Sequence, residues 1–98
     1  MNAYTAVKAD PVDTFMPWID EEEKALRQRL HRALTISAAR APTAVSKSAR
    51  ALYWQCNLVA AEWAFKRAPA ADLEDIANAL VRLFMAAGAL ERIEGPME

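Results

Sequence analysis

The chain has 98 residues, of which 54% are hydrophobic and 26% charged, with a formal net charge of −1. That balance excludes a disordered tail or a fibrous repeat and fits one small globular domain. Only 2 glycines, 5 prolines and alanine as the commonest residue favour helix over a turn-rich β fold, and such alanine usage is expected of a bacterial or phage source.

Further exclusions follow from single residues. Cys56 is the only cysteine, so no disulfide forms within the chain and apolar packing must hold the fold. A reducing, cytoplasmic setting is the expectation. No apolar run approaches the ~20 residues needed to span a bilayer. The opening MNAYTAVKADPVDTF lacks the charged start and apolar stretch of a secretory signal.

Residues 1–16 show no sustained period and read as an extended arm that Tyr4, Val7 and Phe15 could pin to the core. A first helix is predicted over 17–40. Pro17 suits its first turn, and Asp20 to Glu23 complement the positive end of the helix dipole. Asp20 with Lys24 and Glu23 with Arg27 are acid-then-base pairs at i, i+4. Ile19, Leu26, Leu30, Ala33, Leu34 and Ser37 form the apolar stripe, and Ala41-Pro42 ends the helix.

Thr43 is the expected cap of a second helix over 43–68. Its core stripe is read as Val45, Ala49, Leu52, Cys56, Val59 and Trp63, and Pro69 closes it. A third helix is predicted over 72–90, with Asp72, Glu74 and Asp75 at its start. Leu73, Ile76, Ala77, Leu80, Leu83, Phe84 and Ala87 form its stripe, and Gly88 is the expected stop or weak point. The predicted fold is all-α, an antiparallel three-helix bundle with an extended N-terminal arm.

The second helix carries a further apolar face. Trp54, Leu58, Ala61 and Phe65 recur at i, i+4, i+7 and i+11, nearly opposite the stripe assigned to the core. A helix of such a bundle buries one face, so this second one needs a cover: the arm, a second copy in a homodimer, or another protein. Val81 and Met85 on the third helix also sit off its stripe and could extend an interface.

Charge is segregated along the chain. Lys8 stands against six acids in residues 1–23, giving −5; residues 24–67 carry +8, with Glu62 the sole acid; residues 68–98 carry −4. Lys24, Arg27 and His31 share an outward face of the first helix, and Arg40, Lys47 and Arg50 flank the first link. Lys24, Arg27, His31 and Arg40 are therefore the candidate contacts for an anion or a nucleic acid. The stretch DLEDIANALVRLFMAAGALERIEG has the outline of a recognition helix running into a wing. Its acidic start and its lack of an Arg, Lys, Asn or Gln cluster speak against reading DNA.

No catalytic constellation is legible. His31 is the only histidine, and Cys56 falls on the core stripe. One His and one Cys do not make a structural zinc site, and no glycine-rich phosphate loop exists, so neither metal nor cofactor is expected. The sequence therefore predicts a non-catalytic interaction module, an adaptor or inhibitor. It would dock Trp54, Leu58, Ala61 and Phe65 in a partner's groove, with Arg50 and Lys47 at the rim. The alternative is a nucleic-acid-binding regulator using the basic centre or the winged-helix-like C-terminal half.

Overall fold

The computed structural model describes residues 20–94. The predicted arm, the Pro17 turn and Ile19 lie outside them. Within them the chain forms three α-helices, α1 (Glu21–Arg40), α2 (Lys47–Trp63) and α3 (Ala70–Glu94), with a 3₁₀ turn at Ala41–Thr43. The architecture is the expected all-α three-helix bundle.

Each helix boundary has a local cause. Asp20 is extended and caps α1: its carboxylate accepts from the Glu23 backbone N–H at 2.7 Å. It thus precedes the helix rather than sitting in its first turn, which Glu21, Glu22 and Glu23 fill. The predicted cap of α2 is corrected too. Thr43 belongs to the 3₁₀ turn, where its hydroxyl donates to the carbonyls of Ala39 and Arg40. Ala44 and Ser46 are extended, and Ser46 Oγ accepts from the Ala49 N–H at 3.1 Å to begin the helix.

At its far end α2 stops at Trp63, well before Pro69. The Lys66 N–H turns back to the Trp63 carbonyl there at 3.3 Å, a tightened last turn, and Arg27 of α1 seals the end beyond it. Its Nη1 donates to the Ala64 carbonyl at 3.1 Å, the acceptor that the N–H of Ala68 would take if the helix continued. Pro69 could not have supplied the next donor in any case. The chain restarts when the N–H groups of Asp72 and Leu73 reach the Pro69 carbonyl. Gly88, expected to end α3, lies inside it, and no glycine among the described residues takes a positive φ. The tail through Glu94 is helical, so the alternating segment read as a possible wing is the last turns of α3.

Polar contacts fix the helix directions. Arg27 meets Ala64 while Asn57 Nδ2 donates to the Leu34 carbonyl and Ser37 Oγ, so α2 runs antiparallel to α1. Ser46 Oγ donates to Glu94 at 2.7 Å and the Tyr53 hydroxyl to Glu91 at 3.2 Å, so α3 runs antiparallel to α2. These two bonds give the C-terminal turns of α3 a fixed seat and account for its length.

The core has two parts. The larger gathers Leu26, Leu30 and Ala33 of α1, Cys56 and Ala60 of α2 with Ala64 beyond its end, and Leu73, Ala77 and Leu80 of α3. The smaller, around the first link, gathers Ala41, Ala44, Ala49, Tyr53 and Ala87. The stripes expected on α1 and α3 are thus observed, with Leu34, Ile76, Leu83 and Phe84 half-buried at their edges. On α2 the buried line runs through Ala49, Tyr53, Cys56 and Ala60. It is rotated from the expected one. Leu52, Val59 and Trp63 become half-buried flanks, and Val45 precedes the helix in solvent. Small side chains let α2 approach both neighbours closely, and Tyr53 fills the space at one end, tilted against Phe84.

Candidate interaction face of α2

The rotation of α2 decides what faces outward. With Tyr53 and Ala60 turned into the core, Trp54, Leu58 and Ala61 lie along the solvent side of the helix at i, i+4 and i+7. Trp54 is 44% exposed and Leu58 67%. Phe65 lies two residues beyond the last helical residue and remains 45% exposed. Ala64 between them keeps a helical conformation, so Phe65 continues the ridge rather than leaving it. His31 of α1 meets Phe65 edge-on, with ring centroids 6.3 Å apart and an interplanar angle of 74°. The ridge therefore ends on two rings from two elements, one of them fixed by α1.

The rim is basic, with unequal freedom. Lys47 opens α2 and is exposed. Arg50 is engaged: its Nε and Nη2 both donate to the Ala44 carbonyl, at 3.3 and 2.8 Å. That fork fastens the extended link before the helix, so Arg50 serves the fold first. At the other end Lys66 sits 4.1 Å from the centroid of the Trp63 ring, a cation–π contact beside the ridge that the sequence reading did not single out. A Lys three residues after a Trp at a helix end was the only available signal.

The residues proposed for an anion do not assemble into one site. Arg27 is corrected from an outward cation to an internal one. It is only 2% exposed, with Nη2 3.4 Å from Glu23 Oε1 and Nη1 on the Ala64 carbonyl. A cation at the C-terminal end of α2 is favoured by the helix dipole and satisfies a carbonyl that burial hides from water. Lys24 is half-buried with Nζ 3.4 Å from Glu21, His31 packs on Phe65, and Arg40 stands exposed at the end of α1.

Cys56 is fully buried, and desolvation pushes its thiol above the ordinary value, partly offset by a backbone hydrogen bond. A neutral, enclosed thiol is a poor nucleophile. Among the described residues no group of three or more His, Cys, Asp or Glu could hold a metal ion, and no helix is long and apolar enough to cross a membrane. No family model, curated protein or solved structure matches this chain.

Proposed function

We propose that this protein is a small non-catalytic interaction module, an adaptor or inhibitor that works by occupying a partner's surface. The ridge of Trp54, Leu58, Ala61 and Phe65 docks in a partner's apolar groove, and Lys47 adds charge selection at the rim. The observation that carries this reading is the exposure of Trp54, Leu58 and Phe65 together along one side of α2. A buried Leu or Phe contributes about 1.5–3 kcal/mol relative to an exposed one. The exposed parts of these three large apolar groups are therefore a store of free energy, smaller than full burial would give, released on contact. Aromatic anchors of this type dominate the energetics of protein interfaces.

Charge weighs against the nucleic-acid alternative. Arg27 is spent inside the fold and Arg50 on the link, so two cations of the basic centre are withdrawn from phosphates.

The test is a photo-crosslinking residue placed at Leu58 in the full chain, produced in its own host cells. A discrete adduct at position 58, absent with the crosslinker at Ala79 and lost with Trp54→Ala, is expected. It should persist in high salt, because apolar docking is not screened. An adduct of twice the chain mass would identify the partner as a second copy. Capture of nucleic acid that falls steeply with salt, or no Trp54-dependent adduct, would refute the reading.

A further inference from the structure

A second apolar surface lies where α2 is absent. Between α1 and α3 runs an open groove of about 210 Å³, lined by Ala33, Ile36, Ala77, Leu80, Val81 and Phe84, with Arg29 and Arg32 on its α1 side. No residue of α2 lines it. Arg29, Arg32, Ala33 and Ile36 repeat at i, i+3, i+4 and i+7, and so do Ala77, Leu80, Val81 and Phe84. The two helices are parallel, since each runs antiparallel to α2, and Arg29 Nη2 meeting Asn78 Oδ1 at 3.3 Å sets their level. The groove therefore presents two matched turns, about 10 Å of helix axis, to anything lying along it.

Three observations select the occupant. The first is shape. Ile36 and Val81 are themselves exposed, and Met85, one turn past Val81, is 69% exposed, so apolar surface continues beyond the groove. An elongated apolar stripe fits that better than a small ligand, whose sites are enclosed and usually exceed about 300 Å³. The second is charge: among the described residues neither Arg29 nor Arg32 pairs with a carboxylate. The third concerns a second copy. Its α2 ridge would bring Lys47 and Lys66, with Glu62 as the sole acid of α2, against two arginines, and like charges at a contact are repelled.

We infer that the α1–α3 groove receives an amphipathic helix from another protein, with apolar anchors at i, i+4 and i+7 and acidic flanks that meet Arg29 and Arg32. The added helix completes a four-helix arrangement on the side α2 leaves open. This site is independent of the α2 ridge, and a chain carrying both could bridge two partners.

The probe is a synthetic amphipathic helical peptide with leucine anchors and glutamate flanks, compared with the same peptide carrying lysines. It is titrated into the full chain with methyl resonances of Ile36 and Val81 observed. The glutamate peptide is expected to shift both methyls and to bind about tenfold or more tightly than the lysine peptide. Arg32→Glu, at a side chain with no hydrogen-bond or ion-pair partner among the described residues, should narrow or reverse that preference. Val81→Asp should abolish binding, and Leu58→Asp should leave it unchanged. Equal affinity for the two peptides would overturn the inference, as would loss of binding with Leu58→Asp. So would tighter binding of decanoate at the same methyls, which makes the groove a lipid site. Methyls of Ile36 and Val81 already shielded from a soluble paramagnetic agent in the free chain would also overturn it, since the groove would then be filled from within.

Discussion

The two sides of α2 are built in opposite senses. The inward side is Ala49, Tyr53, Cys56 and Ala60, three small groups and one ring. The outward side carries Trp54 and Leu58, continued by Phe65, the larger apolar groups. Burial stabilises in proportion to apolar area, so a helix selected for folding alone would place these sets the other way round. The difference teaches that close helix approach holds the fold without the large outward side chains, which the proposed docking would employ. Substitutions on the two sides should therefore separate stability from binding.

The largest effect is expected at Tyr53. Tyr53→Ala empties a fully buried site and strands Glu91. It should cost about 3–5 kcal/mol in chemical denaturation. Tyr53→Phe should cost about 1 kcal/mol, the hydrogen bond alone. Arg27→Ala comes next. It leaves the buried Ala64 carbonyl without its donor, and a loss of about 2 kcal/mol is expected, with amide exchange accelerated in the last turn of α2. Ser46→Ala removes the α2 cap and the bond to Glu94. It should cost about 1 kcal/mol and loosen the end of α3.

These residues also show where the sequence was readable. The helices, the breaks near Pro42 and Pro69 and the stripes of α1 and α3 were legible because Leu, Ile and Phe repeat there at helical spacing without competition. On α2 apolar residues fall on almost every side. Leu52, Val59 and Trp63 outweighed Ala60 and Tyr53 by hydrophobicity, and the true rotation followed from how close the backbones come. The outward ridge was legible nonetheless, since Trp54, Leu58 and Phe65 keep their spacing under either rotation. Arg27 was not. A wheel of α1 places it among charges, and its acceptor belongs to Ala64, 37 residues away. The α1–α3 groove was equally hidden, because Arg29, Arg32 and Val81 acquire meaning only when two helices stand side by side.

A smaller effect concerns Cys56, on the inward side. Burial raises its pKa above the ordinary thiol value, so the folded thiol holds its proton at a pH where the unfolded one releases it. Stability from this group is intact below the ordinary thiol value and falls as pH rises from there through the raised one. Unfolding titrations of the chain and of Cys56→Ala at rising alkaline pH should diverge in that window alone. Below it, maleimide should label the native thiol far more slowly than the unfolded one.

The smallest effect on stability is expected on the outward side, where the central claim is decided. The measurement is the unfolding free energy of Leu58→Asp beside that of the unaltered chain. If the ridge is a docking surface, the two agree within about 0.5 kcal/mol, while the Trp54-dependent crosslinked partner disappears. A loss of several kcal/mol, comparable to Tyr53→Ala, would contradict the account, because Leu58 would then belong to the chain's own core.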